Sequence, residues 1–285
     1  ATNQRYKDLV MEHLPEVTEN QVLLEPAMRN TAPCILYSAL KIKDQNSEAV
    51  MIVAPSDHHI EDEAEFVKNV KSAFEACQKN DILMTLGIKP TGPNTGYGYI
   101  QFEEGETEVK KVKNFTEKPD LKTAEKFIAQ GDYLWNAGIF IWSVKSILDS
   151  FKRSLPEMCD LFEKGASFWN SEKETHFITD HYAESENVSI DYGIMEKSNN
   201  VHVISADIGW SDLGTWGSVY DHLAKDEKGN AIVGNNVINI DSTNCIVNIS
   251  SDKLLAFQGL DNYIIAEHEN KILIIKKEDE QMIRD

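Results

Sequence analysis

The stretch Ala49-Val50-Met51-Ile52-Val53-Ala54-Pro55-Ser56-Asp57-His58-His59 decides the fold class. It opens as an unbroken apolar run of strand length, the pattern of a strand buried on both faces of a mostly parallel sheet. Pro55 stops it, because proline has no N–H to give to a ladder. A helical pattern follows from Glu61 to about Lys79. In open α/β sheets ligands sit beyond the carboxyl ends of the strands. Asp57 then stands where a carboxylate can hold a Mg²⁺ that bridges phosphate oxygens. Taken alone, the stretch is read equally well as Ser56 or Asp57 capping the next helix.

The same alternation extends to both sides. Arg5 to His13 has helical spacing, Val22 to Leu24 is a short strand, and Cys34 to Ile42 is apolar and helical. Ile82 to Gly87 is another strand-length apolar run. Alternating strands and helices predict a parallel, doubly wound α/β sheet with both faces covered. The segment Lys89 to Ile100 holds three glycines, two prolines and an asparagine, a loop that brings backbone close to something. Gln101 to Lys113 reads as a polar hairpin, Leu121 to Gln130 as a helix stopped by Gly131, and Asp132 to Trp142 as a core strand. Val144 to Phe151 and Glu157 to Ala166 are helical, and Val201 to Ala206 alternates like a strand. Gly209 to Trp216 is a tight turn that opens a helix through Leu223. From Gly229 short β-type runs recur every seven to nine residues with Asn, Gly and Asp at the turns. That texture suits solenoid-like coils or a small sandwich. The expected domains are therefore residues 1–224, α/β, and 225–285, all β.

Composition narrows the function. The 285 residues carry 41% hydrophobic and 26% charged side chains, ordinary for a globular chain. A net charge of −19 opposes binding to nucleic acid or to an anionic membrane. Cys34, Cys77, Cys159 and Cys245 are widely spaced and form no CxxC pair, so they read as reduced, cytosolic core fillers. No apolar run approaches the roughly 20 residues of a membrane span, and no signal peptide pattern is present. A cytoplasmic protein is the expectation.

The polar residues of interest fall in loops after strand-like runs. Asp57 and Asp212 each follow an apolar segment, and two carboxylates on one Mg²⁺ is a common way to hold nucleotide phosphates. Glu117-Lys118-Pro119 sets a cation on a proline-stopped loop, which suits a phosphate contact. A surface ion pair is the alternative for Lys118. Asn136 and Gly138 interrupt an apolar strand, so the amide suits hydroxyl recognition while glycine clears space; a buried asparagine satisfied by backbone is the alternative.

In order along the chain stand Glu25-Pro-x-x-Arg-Asn-Thr-Ala, Pro55-Ser-Asp-His, Pro93-x-Thr-Gly-Tyr-Gly-Tyr-Ile, Phe115-x-Glu-Lys-Pro-Asp, Trp135-Asn-Ala-Gly-Ile-Phe, Ser189-Ile-Asp-Tyr-Gly-Ile-Met-Glu-Lys and Gly209-Trp-Ser-Asp-Leu-Gly-Thr-Trp. This series resembles the mannose-1-phosphate guanylyltransferases, or GDP-mannose pyrophosphorylases, in their bacterial long form. The resemblance implies a Rossmann-like nucleotidyltransferase domain with a mostly parallel, mixed sheet, followed by a small β-helix-like domain. It implies GTP and mannose 1-phosphate as substrates, GDP-mannose as product and Mg²⁺ as cofactor. By matching positions, Asp57 and Asp212 would ligate the Mg²⁺ and Lys118 would hold the sugar phosphate. Glu25, Arg29, Asn30 and Thr31 would lie along the nucleotide. Gly98 would approach the sugar through backbone, with Glu117 and Asn136 on its hydroxyls beside Gly138. Asp191 and Glu196 would line the same pocket.

The family opens with a GGxGxRLWPxSR loop and a PKQF segment that cradle the triphosphate. Neither is among these residues, and Ala1-Thr2-Asn3 reads as the tail of a strand. The expectation is a chain that starts about one βαβ unit late and is inactive by itself. Nothing after Lys276 resembles the histidine pattern of the cupin-type isomerase that some relatives carry, so a single activity is expected. A sister specificity for another base or sugar, or a silent regulatory relative, remains open at this point, as does a homodimer.

Overall fold

The computed structural model describes residues 1–249 and 252–284. The expected β domain thus includes Ser250, Ser251 and Asp285, which lie outside the described residues. The chain divides into two compact units, Ala1–Ser56 with Glu61–Ile208, and Asp57–Ile60 with Gly209–Asp285. Among the described residues no helix is long and apolar enough to cross a membrane.

In the first unit the elements run β1 (Thr2–Asn3), α1 (Lys7–His13), β2 (Leu24–Glu25), α2 (Thr31–Gln45), β3 (Val50–Val53), α3 (Glu63–Lys79), β4 (Leu83–Ile88), β5 (Tyr99–Phe102) and β6 (Val109–Thr116). They continue through α4 (Leu121–Gln130), β7 (Tyr133–Ser143), α5 (Val144–Ser154), α6 (Pro156–Glu163), α7 (Glu174–His181), α8 (Ile190–Gly193) and β8 (Val201–Ser205). Local chemistry sets the boundaries. Asp62 accepts the Glu65 N–H at 2.9 Å and starts α3. Gly131, at φ +79°, ends α4 in the left-handed conformation that glycine tolerates.

The main sheet has six strands in the order β3-β7-β4-β8-β6-β5, and β5 also pairs with β7. The α/β class and the mixed sheet are as expected, but the balance of ladders differs. β7 is antiparallel to β3, β4 and β5, and β6 is antiparallel to β5 and β8. Only the β4–β8 ladder is parallel. Four strands (β3, β4, β5 and β8) therefore point one way and two (β6 and β7) the other. The β3-α3-β4 crossover is present, yet β7 is inserted between its strands. Nor is β3 buried on both faces as expected: it lies at the sheet edge with Met51 buried and Ile52 exposed, because an apolar run reports neither a strand's place in the sheet nor the direction of its neighbour.

β7 is the strand on which the unit is built. Phe140 and Trp142 join one large core with Ile35 and Leu36 of α2 and Ile147 and Phe151 of α5. Ile139 and Ile141, pointing the other way, are as deeply buried. A buried Glu174 ties α7 to α2: it accepts hydrogen bonds from the Tyr37 hydroxyl, from Lys41 Nζ at 2.6 Å and from the Asn170 N–H at 2.6 Å. All four cysteines are free. Burial pushes the Cys34 and Cys77 thiols up to about 12, so both stay protonated and inert.

The second unit contains α9 (Trp216–His222), β9 (Ala231–Val233), β10 (Val237–Ile240), β11 (Ile246–Ile249), β12 (Leu255–Gln258), β13 (Tyr263–His268) and β14 (Lys271–Lys276). β9, β11 and β13 stack in parallel, β10 stacks in parallel on β12, and β14 closes antiparallel on β13. Two short runs thus make one coil, with stacked partners such as Ala231, Ile246 and Ile264. This is the solenoid, not the sandwich. Asn230 sits inside it and bridges coils, accepting the Cys245 N–H at 3.0 Å and donating to the Ser242 carbonyl at 3.0 Å.

Candidate active site

In the first unit the expected sugar-site residues meet beside the centre of β7. Asn136 lies on β7 and is 8% exposed. Its Oδ1 accepts the Gly138 N–H at 3.1 Å and the Thr85 hydroxyl at 3.0 Å, and its Nδ2 donates to Asp191 Oδ1 at 2.9 Å. Gly138 has φ +69°, so it supplies the left-handed turn that aims its amide at Asn136. Most of the Asn136 amide is therefore spent on holding its neighbours in register.

Glu117 follows β6 and leans over Gly98. A Cβ built on Gly98 would lie 2.4 Å from Glu117 Oε2 and 3.3 Å from Asn136 Cβ. The Glu117 N–H donates to Glu196 Oε1 at 2.9 Å, and its Oε1 lies 3.1 Å from Lys118 Nζ. Its Oε2 is buried with no hydrogen-bond partner among the described residues. Such an atom costs about 1–3 kcal/mol, a penalty expected where a ligand supplies the donor. Lys118 holds φ +46°, an uncommon conformation for a non-glycine residue, and its side chain is exposed.

The electrostatics are those of two partly buried acids with one nearby cation. Burial, then the Asp191 charge, pushes the Glu117 carboxyl above its usual range, while Lys118 pulls it back. Burial likewise raises Asp191, opposed by the Asn136 hydrogen bond and Lys118. Partly buried acceptors beside an exposed ammonium suit a polyhydroxylated anion.

The expected nucleotide residues are arranged around residues 182–190. The Tyr182 hydroxyl donates to Glu25, and Arg29 Nη2 donates to the Ala183 carbonyl. Asn30, at φ +64°, caps α2 by accepting the Thr31 N–H at 3.1 Å. Thr31 Oγ1 accepts the Ile190 N–H at 2.9 Å. This seam leads directly into Asp191, so the two groups of residues share one backbone segment. Thr85 and Tyr182 were absent from the sequence expectations. Thr85 left one signal, a lone hydroxyl within the apolar strand Leu83–Ile88; Tyr182 left none.

In the second unit a β-bridge brings Asp57 and Asp212 to one place. The His59 N–H donates to the Ser211 carbonyl at 2.8 Å, and the Ser211 N–H donates to the His59 carbonyl at 3.0 Å. Trp210 Nε1 donates to His58 Nδ1 at 3.1 Å. His58 is lowered from its ordinary value by burial, while Asp57 and Asp212 both pull the other way, so both carboxylates bear on the same ring. The Gly214 N–H donates to Asp212 Oδ1 at 3.0 Å. No group of three or more His, Cys, Asp or Glu is gathered as metal ligands among the described residues. Two carboxylates fit Mg²⁺ nonetheless, because that ion takes its remaining ligands from water and substrate phosphates.

Comparison with known proteins identifies the family. A family model described as Nucleotidyl transferase matches residues 1–229, and one described as a MannoseP isomerase/GMP-like beta-helix domain matches residues 235–285. Xanthan biosynthesis protein XanB of Xanthomonas campestris pv. campestris (strain B100) is 37% identical over 280 residues, which is 96% of this chain and 58% of that protein. A mannose-1-phosphate guanylyltransferase of Escherichia coli is 33% identical over 298 residues, 99% of this chain and 62% of that protein. The chain thus spans about three fifths of the length of these curated relatives. Among solved structures, a mannose-1-phosphate geranyltransferase from Thermus thermophilus matches with a TM-score of 0.85 at 26% identity, covering 99% of this chain and 81% of the other. The chain belongs to the nucleotidyl transferase family, in the branch whose catalytic domain is followed by a MannoseP isomerase/GMP-like β-helix domain.

Proposed function

We propose that the protein transfers GMP from GTP to mannose 1-phosphate, forming GDP-mannose and releasing pyrophosphate. The observation that carries this reading is the buried, unpaired Glu117 Oε2 over Gly98, beside Asp191 and Lys118. The name of the E. coli relative supports the choice of sugar and base.

The reaction is an in-line displacement at the α-phosphorus of GTP. A phosphate oxygen of mannose 1-phosphate forms the new O–P bond as the bond to the β-phosphate oxygen breaks, and that oxygen leaves with pyrophosphate. The nucleophile is already anionic, so no general base is required. What this chain's residues supply is position and charge. Glu117 and Asp191 would accept hydrogen bonds from sugar hydroxyls, with Asn136 and Glu196 holding them in place and Gly98 presenting backbone. Lys118 would hold the sugar phosphate. Glu25, Arg29, Asn30 and Thr31 would lie along the nucleotide. Asp57 and Asp212 would hold Mg²⁺, whose chemistry is to neutralise charge on the phosphate oxygens. His58, held toward neutrality by burial, needs no proton-transfer role.

The test is pyrophosphate release by the whole protein from GTP, mannose 1-phosphate and Mg²⁺, with ATP, CTP, UTP, dTTP and glucose 1-phosphate run in parallel. Release should favour GTP and mannose 1-phosphate and fall at least about 100-fold in Asp212→Ala, the loss expected when charge stabilisation is removed. A preference for another pair moves the enzyme to a sister specificity. No release with any pair, from protein that still binds nucleotide, sinks the reading.

A further inference from the structure

The second unit ends in a 3₁₀ segment, Lys277–Arg284, that turns back onto α9. Glu280 Oε2 accepts the Gly217 N–H at 2.9 Å. That amide lies in the first turn of α9, where backbone donors have no partner inside the helix and negative charge is favoured. A Cβ on residue 217 would sit 3.4 and 3.5 Å from the two Glu280 oxygens, in ordinary contact, so the carboxylate packs closely against this turn of α9. Ile283 joins Trp216, Val219 and Leu273 in one apolar cluster. The segment therefore grips α9 by its backbone and by its apolar face.

α9 begins four residues after Asp212, and the turn between them is tightly wound. Leu213 has φ +50° and its N–H donates to Ser211 Oγ at 3.2 Å. The Gly214 N–H holds Asp212 Oδ1. Thr215 and Ser218 then form a reciprocal capping box, each accepting the other's N–H at 3.1 Å. Position is thus passed from α9 through Thr215 and Gly214 to the Asp212 carboxylate. A cavity of about 370 Å³ beside the turn, lined in part by Leu213, Gly214, Trp216, Glu280 and Ile283, leaves room for the turn to shift when the grip is released.

We propose that Lys277–Arg284 is a clamp that sets the position of Asp212, with Glu280 as its positioning residue. The clamp's link to catalysis rests on the reading of Asp212 as a metal ligand; its effect on the turn does not. The experiment compares Glu280→Ala and Glu280→Gln with the parent in the whole protein. Hydrogen–deuterium exchange over 210–217 should rise about tenfold in the alanine variant, as expected for a lost charge-assisted hydrogen bond, and stay within about threefold in the glutamine variant, which keeps an acceptor. Exchange in β4 and β7 should not change. In the pyrophosphate assay the half-saturating Mg²⁺ concentration should rise about tenfold in Glu280→Ala by the same reasoning, with the KM for mannose 1-phosphate unchanged. Exchange equal to the parent's, or a glutamine variant as loose as the alanine one, overturns the clamp. A KM for the sugar phosphate that moves as far as the Mg²⁺ requirement overturns its role at Asp212. If the parent releases no pyrophosphate yet Glu280→Ala still exchanges faster, the clamp stands and the proposed function falls.

Discussion

Gly98→Ala separates stability from substrate binding. The new Cβ would meet Glu117 Oε2 at 2.4 Å and Asn136 Cβ at 3.3 Å. Ordinary contact begins near 3.4 Å, so the carboxylate must retreat by about 1 Å while Asn136 barely moves. Oε2 is the far end of a side chain with three rotatable bonds, and retreat costs the fold little. The stability loss should sit at the low end of overpacking, about 1 kcal/mol, or a Tm drop of about 2–4 °C. Binding should suffer far more. A misplacement of about 1 Å at a positioned group can cost about 100-fold. Glu117 would leave its place over Gly98, and its ion pair with Lys118, 3.1 Å long, would be redirected. Titration calorimetry with mannose 1-phosphate should show affinity down by about 100-fold, and kcat/KM for that substrate should fall in parallel. Differential scanning calorimetry reports the Tm. Near-parental affinity in a folded Gly98→Ala protein refutes the reasoning, because the carboxylate would then have no duty at that position. A Tm drop beyond about 10 °C refutes it differently, by showing that Glu117 cannot yield.

Two further outcomes concern stability. Glu117 and Asp191 are both raised by burial. A raised carboxyl contributes stability that is fully present below its unfolded value and is lost as pH rises through the folded one. Relative to the parent, Asp191→Asn should therefore gain stability on going from below pH 3.8, the ordinary aspartate value, toward neutrality, while losing sugar-phosphate affinity. Urea unfolding of both proteins across pH measures this, and a difference that does not change with pH counts against it. Lys41→Met leaves the buried Glu174 carboxylate without its ammonium; the two side chains are 17% and 7% exposed. Breaking such a pair costs about 3 kcal/mol, hence a Tm drop of about 6–12 °C. A drop under about 2 °C in calorimetry would mean that the Tyr37 and Asn170 hydrogen bonds suffice.

Much of this was legible because local chemistry dictates it. The run Val50 to Ala54 was legible as a strand, though not as the edge strand with Ile52 exposed that it forms; Gly131 had to stop a helix, and the closely spaced β runs after Gly229 could not accommodate helices. The candidate residues were legible as an ordered series of motifs at strand ends, which no one motif would have secured. The division into units was harder to read. The helix-free runs begin near residue 225, yet the compact second unit takes in Gly209 onward and also Asp57–Ile60. A bridge between His59 and Ser211 joins residues far apart in sequence, and no local pattern announces it.

The sequence by itself determined the element types, the solenoid-like repeat and the chemical character of the candidate residues, because period, turn residues and charge are local properties. Tertiary structure alone decided who faces whom. It inserted β7 between β3 and β4, so that these two strands, which point the same way, each pair antiparallel with β7 instead of parallel with one another. It engaged the Asn136 amide with Thr85, Gly138 and Asp191, and it left Glu117 Oε2 buried and unpaired. It also brought Glu280 back to α9. Strand partners and hydrogen-bond partners are chosen by global packing among groups of similar local preference, and such a choice leaves no mark on the neighbouring residues.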